Sequence, residues 1–261
     1  MNPLRDGIGG IFNTRSIVGN LLIINIIGFV ALWVFGNVPG TGLGKANMWL
    51  GLFLPESSHF RPWQLITHMF MHGNLMHIFF NMYALLMFGS ILEQVWGPKR
   101  FLIFYLVCGF GAALVHMGVS IWEAQVIRNE ILSLGLNISE SSLDALKMGD
   151  LTQKFPDQTE VMNLLRQYYA KYNMPTVGAS GAVFGLLLGY GMLFPNTKLY
   201  LIFLPIGIPA KWFVLGYGAI ELFLGLSRNP GDQIAHFAHL GGMIFGFILI
   251  KYWKNNRQNF Y

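Results

Sequence analysis

Six runs of apolar residues, at 17–35, 75–92, 101–119, 180–194, 212–226 and 235–253, decide what this chain can fold into. A helix of about 20 apolar residues crosses the hydrocarbon of a bilayer. Charged residues make up 11% of the chain and hydrophobic ones 54%, whereas a soluble domain carries about 25% charge. The chain therefore reads as an all-α membrane protein, a single bundle of six transmembrane helices over residues 1–261. The fourth and fifth runs are short for a span and have glycine at their ends, which fits helices that begin below the bilayer surface around a cavity.

Lysine and arginine in the short loops set the expected orientation. Arg5, Arg15, Lys99, Arg100, Lys198, Lys211, Lys251, Lys254 and Arg257 fall on one side, and Lys45, Arg61 and Arg228 on the other. That asymmetry places both termini in the cytoplasm and the long third loop, 120–176, on the outer face. Arg5 and Arg15 precede the first run without a small-residue cleavage site, so that run reads as a retained span. Within the outer loop, Asp157 with Glu160 resembles a capping box opening a helix through Tyr172, with an apolar stripe of Val161, Leu164, Leu165, Tyr168 and Tyr169. A second helical stretch, Trp122 to Leu134, extends the third span outward. The loop reads as a solvated cap, with a substrate-binding element as the competing view. The net charge of +5 comes without a basic cluster, so loop bias explains it better than nucleic-acid binding. Cys108 is the one cysteine, which excludes an internal disulfide or a thiolate metal site.

Three stretches carry polar groups into this apolar setting. Ser180 stands between Gly178 and Gly181 at the start of the fourth span; small residues there allow close helix packing, and the hydroxyl is also a candidate nucleophile. On the last span His239 is followed by Gly242 and Gly246 on one face, a stripe against which the Ser180 helix can approach to backbone distance. An imidazole within reach of a serine hydroxyl is the minimum for nucleophilic catalysis; His236, three residues earlier, is the rival base. On the second span His77 and Asn81 share a face one turn apart. They can act as inter-helix hydrogen-bond glue or as donors to an oxyanion. His68, His72 and His77 have ligand-like spacing but no carboxylate and no His-Glu-x-x-His, so no metal and no cofactor is expected. Neither Asp232 nor Glu221 is placed by sequence to orient His239, so the expected machinery is a Ser180–His239 dyad without a third member. Glu221, an intramembrane carboxylate, is a functional candidate on that ground alone, with a hydrogen-bonded structural role as its equal.

Gly178-Ala179-Ser180-Gly181, the His77/Asn81 pair and residues 235–246, in that order on spans four, two and six, resemble the rhomboid intramembrane serine proteases. The resemblance covers about residues 60–246. It implies a rhomboid-like bundle in which Ser180 is the nucleophile and His239 the general base. His77, Asn81 and the Ser180 backbone N–H would line the oxyanion hole, and Gly178 would shape the turn beside it. It further implies that the Phe184 ring packs on the catalytic imidazole and that His72 is a structural histidine near the site. The expected partners are single-pass transmembrane substrates and the lipid bilayer, with no nucleic acid. The expected location is a bacterial inner (cell) membrane. A catalytically silent, client-binding relative is the competing class. Many members carry Trp-Arg in the first loop where this chain has Trp63-Gln64, with Arg61 two residues before Trp63, so that loop's anchoring contacts are expected to differ.

Overall fold

The computed structural model describes residues 16–36, 44–134, 139–147, 159–201, 204–227 and 234–256. Arg5, Arg15, Asp157, Arg228, Asp232, Arg257 and the expected turn at 229–231 lie outside them.

The first helix, α1 (Ile17–Phe35), opens on Ser16, whose hydroxyl accepts from Gly19 N. Free N–H groups at a helix start need acceptors, and Glu93 supplies them. Its carboxylate accepts from Ile17 N at 2.7 Å, Val18 N at 3.0 Å and Ser16 Oγ at 3.1 Å, tying α1 to the end of the second long helix. Two short helices, α2 (Lys45–Leu50) and α3 (Gln64–Thr67), and a 3₁₀ turn (His68–Phe70) build the loop that follows. The second long helix, α4 (Leu75–Trp96), is capped by the Asn74 side chain and contains a π turn at Leu85–Gly89. Gly97, at φ 76°, ends α4, and Pro98 starts α5 (Pro98–Ser133) one residue later. A positive-φ glycine, which has no Cβ to clash, followed by a first-turn proline marks the break between the two helices.

The expected third span and its outward extension prove to be one helix of 36 residues. At 1.5 Å per residue it is about 54 Å long, well beyond the roughly 30 Å of bilayer hydrocarbon. Its first half packs in the main core with Phe101, Phe104, Tyr105 and Cys108, all fully buried. Its second half carries Ala124 and Ile131 into a separate cluster with α6 (Glu140–Lys147) and α7 (Thr159–Asn173). There Val161, Leu164, Leu165, Tyr168 and Tyr172 are buried, with Tyr169 partly so, close to the stripe read from sequence. The Glu56–Lys147 ion pair at 2.7 Å joins this cap to the first loop. Glu56 holds the Lys147 ammonium above its usual range, against the opposing effect of burial.

The chain then forms α8 (Ser180–Leu193), a β-hairpin of β1 (Lys198–Leu201) and β2 (Leu204–Pro209), α9 (Ala210–Ser227) and α10 (His236–Asn256). The hairpin is a short exception within a mostly helical fold. Its strands pair antiparallel with Leu199 opposite Ile208 and Tyr200 opposite Gly207; the aromatic Tyr200 and the β-branched Ile206 and Ile208 favour this.

Among the described residues two helices, Leu75–Trp96 and Pro98–Ser133, are long and apolar enough to cross a membrane; Ile17–Leu32 and Ser180–Leu193 are shorter apolar helices. Large apolar side chains face outward on α1 (Ile23, Ile27, Val34) and on α9 (Leu215, Phe223, Leu226). Apolar surface on this scale is what lipid covers.

Helices α5, α8 and α10 form the centre of the bundle. Between helices in lipid there is little hydrophobic gain, so close van der Waals packing must hold them. Glycines provide it. A side chain at Gly242 would strike the Gly181 carbonyl, one at Gly246 would meet Gly185 Cα at 3.4 Å, and one at Gly181 would meet Ala112 of α5. The Gly242/Gly246 stripe therefore meets the helix that sequence assigned to it.

Candidate functional site

Ser180 is the first residue of α8, where the first-turn N–H groups have no partner within the helix. The turn before it is set by Gly178, at φ 132°, a backbone conformation that favours glycine. Two contacts hold this turn. Gly178 N donates to the His68 carbonyl at 2.9 Å, and Thr176 pairs with Leu52 as an antiparallel bridge. His68 is itself buried, with Nδ1 donating to the Gln64 carbonyl at 2.9 Å. The first loop thus helps to position the Ser180 turn.

His239 lies one turn into α10. Its Nε2 is 2.9 Å from Ser180 Oγ, and its ring stacks on Phe184 with centroids 4.1 Å apart and planes 5° from parallel. Phe184 is one turn after Ser180, so one helix supplies both the hydroxyl and the surface that fixes the imidazole's plane. His236, the rival base, is not the serine's partner. It is buried at the start of α10, and its Nδ1 is 2.6 Å from Glu221 Oε2.

That same Glu221 oxygen is 2.9 Å from His239 Nδ1. Sequence did not place Glu221 beside His239; the packing of α9 on α10 does, and Glu221, 4% exposed, reaches both histidines. Spacing within one helix carries no information about that crossing. The available hint was that Glu221 is the one acidic residue between Ser180 and Ser227. The Glu221, His236 and His239 donor atoms lie within 4.8 Å of one another, a set chemically able to hold a cation such as zinc. Among the described residues no such group forms from His68, His72 and His77.

His77 presents Nε2 to the Ser180 turn: a Cβ at Gly178 would stand 2.7 Å from that nitrogen and 3.7 Å from Ser180 Oγ. The bare Gly178 is what allows ring and hydroxyl to share this corner. His72 is fully buried, edge-on to His77 with centroids 5.0 Å apart, and so backs that ring. Asn81 is buried, and its Nδ2 donates to the His77 carbonyl at 2.9 Å, which commits one of its two amide hydrogens to its own helix.

Ser180, His239, His77 and Asn81 line one open cavity of about 2670 Å³. Glu123, Gln167 and Lys171 line it from the cap side, and Glu123 pairs with Lys171. Sequence reasoning missed Gln64. It is fully buried, accepts from Arg61 N at 3.0 Å and donates to the His59 carbonyl at 3.0 Å. Arg61 instead reaches the carbonyls of Ser58 and Phe60. The glutamine thus anchors the first loop. Beside it, burial and then the Arg61 charge lower the pKa of His59.

A helical bundle with an apolar exterior, enclosing a serine hydroxyl hydrogen-bonded to a buried imidazole, defines a membrane protein that carries the groups for serine chemistry. A family model described as Rhomboid domain matches residues 59–127 and 159–255, and the chain belongs to the rhomboid family. RHOMBOID-like protein 4 of Arabidopsis thaliana is 28% identical over 188 residues, covering 72% of this chain and 33% of that protein. RHOMBOID-like protein 6, mitochondrial, of the same plant is 27% identical over 188 residues, 72% of this chain and 42% of the relative. Rhomboid-like protease 3 of Toxoplasma gondii is 28% identical over 173 residues, 65% of this chain and 63% of the relative. The chain spans less than two thirds of each relative's length. All three are eukaryotic and one is named mitochondrial, so they lend no support to the bacterial cell membrane expected from sequence.

Proposed function

We propose that this chain is an intramembrane serine endopeptidase of six spans, with both termini cytoplasmic and a site open to the outer face. The observation that carries the reading is the 2.9 Å contact from Ser180 Oγ to His239 Nε2, with the imidazole held flat on Phe184. Ser180 Oγ attacks the peptide carbonyl carbon and its proton passes to His239 Nε2. The oxyanion is held by His77, Asn81 and the Ser180 backbone N–H, each donor contributing roughly 3–4 kcal/mol to the barrier reduction. His239 then protonates the leaving amine as the C–N bond breaks, and water resolves the acyl-enzyme by the reverse route.

The substrate is a single-pass transmembrane protein whose helix unwinds locally, because an intact helix hides its carbonyls in hydrogen bonds. It approaches past α9, which buries only Ala210, Val214 and Glu221 among its described residues and so holds to the bundle through few side chains. Phe213 and Tyr217 of α9 already face the cavity.

The test is cleavage of a transmembrane model substrate by wild type, Ser180→Ala and His239→Ala in proteoliposomes. The reading expects cleavage by wild type alone, and equal cleavage by all three would remove it. A catalytically silent, client-binding protein predicts no cleavage by any of them and no labelling of Ser180 by a fluorophosphonate.

A further inference from the structure

Two imidazoles share one carboxylate oxygen. Glu221 Oε2 lies 2.6 Å from His236 Nδ1 and 2.9 Å from His239 Nδ1. An ionised carboxylate only accepts hydrogen bonds, so each histidine must present an N–H at Nδ1. A neutral imidazole carries one N–H. His239 therefore has a bare Nε2, the nitrogen that faces Ser180 Oγ.

We propose that Glu221 is a positioning residue of this site, its carboxylate locking His239 in the tautomer that can accept the serine proton. His236, bonded to the same oxygen, fixes the carboxylate in turn. The proposal rests on the reading of Ser180 as nucleophile. When Ser180 Oγ bonds to the carbonyl carbon, its O–H breaks and the proton moves to Nε2. The resulting imidazolium keeps its Nδ1 proton and faces the Glu221 anion. That proton stays on nitrogen, as in serine triads, while the Nε2 proton leaves with the departing amine.

The placement of Glu221 favours this role over a surface ornament. It is 4% exposed on a helix whose neighbouring residues Ile220, Leu222 and Phe223 face outward. An ionisable group in a span is held only where partners compensate its desolvation, and here both partners belong to the site helix. The competing account is a plain tie between α9 and α10 that leaves the chemistry untouched. The two differ in what they do to turnover.

The experiment compares wild type, Glu221→Gln, Ser180→Ala and His239→Ala on a transmembrane model substrate, with thermal stability measured alongside. Glutamine keeps the shape and one acceptor but loses the charge opposite the imidazolium. The expected result is a kcat lower by on the order of ten-thousandfold, the loss seen when the orienting acid of a triad is neutralised, with KM within about twofold. Fluorophosphonate labelling of Ser180 should slow in parallel. A folded Glu221→Gln whose kcat stays within about threefold of wild type would overturn the proposal, whatever its Tm. Should that variant not fold, ¹⁵N NMR of histidine-labelled wild type decides: Nδ1–H on His239 is expected, and Nε2–H overturns it. Ser180→Ala cleaving like wild type would instead remove the nucleophile reading itself. An inactive Ser180→Ala beside a fully active Glu221→Gln would remove only the role of the carboxylate.

Discussion

Replacing Gly242 with alanine tests whether backbone contact between α8 and α10 sets the Ser180–His239 distance on which the proposed activity depends. A Cβ at Gly242 meets the Gly181 carbonyl oxygen first, then the carbonyl carbon at 2.7 Å and Cα at 3.2 Å. These atoms are backbone, one residue after Ser180, and cannot rotate aside. Ordinary contact begins near 3.4 Å, so the carbonyl carbon must retreat by at least about 0.7 Å, and the nearer oxygen by more, in a tightly packed interior. The Ser180–His239 contact, 2.9 Å in the native protein, would open to roughly 3.6 Å and cease to be a hydrogen bond. Misplacement on the order of 1 Å costs about a hundredfold in rate, and overpacking costs about 1–3 kcal/mol of stability. The assay is kcat on a transmembrane model substrate in proteoliposomes, with Tm measured on the same preparations. Gly216→Ala is the control, because nothing lies within 4 Å of a Cβ there. It should leave kcat unchanged and gain up to about 1 kcal/mol from helix propensity. A folded Gly242→Ala enzyme with wild-type kcat would refute the reasoning.

Three further outcomes follow from named contacts. Phe184→Leu keeps apolar bulk but loses the stack on His239. Ring pairs contribute about 0.5–1.5 kcal/mol beyond area, so kcat should fall by a factor of roughly 2 to 13; an unchanged kcat would mean that the stack does not hold the imidazole. Gln64→Leu removes the hydrogen bonds to the part-buried Arg61 N–H and His59 carbonyl, each contributing about 0.5–1.5 kcal/mol. A clear drop in Tm is expected, with protease cutting near His59, and an unaltered Tm would contradict the anchoring role. His68 lies in the loop before α4, and burial lowers its pKa from 6.5 to about 4 despite the hydrogen bond to the Gln64 carbonyl. Between those values the unfolded chain binds a proton that the folded protein refuses, so stability should fall as pH drops from about 6.5 to 4. Thermal melts across that window should show a shallower slope for His68→Gln, and an identical slope would assign the acid sensitivity elsewhere.

Much of this was legible because helical period places residues on faces. Gly242 and Gly246 one and two turns after His239 announced a close approach, and Ser180 with Gly181 was the matching surface. The extension of α5 and the stripe on α7 were readable for the same reason. The β-hairpin was not, since Leu199 to Ile208 is too short and too apolar to separate strand from loop by pattern. Nor was the anchoring by Gln64, whose hydrogen bonds go to backbone atoms of a folded-back loop that no motif encodes.

Glu221 marks the limit most clearly. Period tells which face of α9 carries it, and the hydropathy of its neighbours says that this face must turn away from lipid. Neither fixes what the face meets, because that depends on the angle and register at which α9 crosses α10. Glycine contacts, by contrast, work pairwise: two small-residue stripes of similar spacing leave few registers in which both are filled. The serine, the imidazole and their contact could therefore be inferred from complementary stripes, whereas the carboxylate needed a third helix with no stripe of its own. A polar residue isolated in an apolar span identifies where a partner is required; only the packed helices identify the partner.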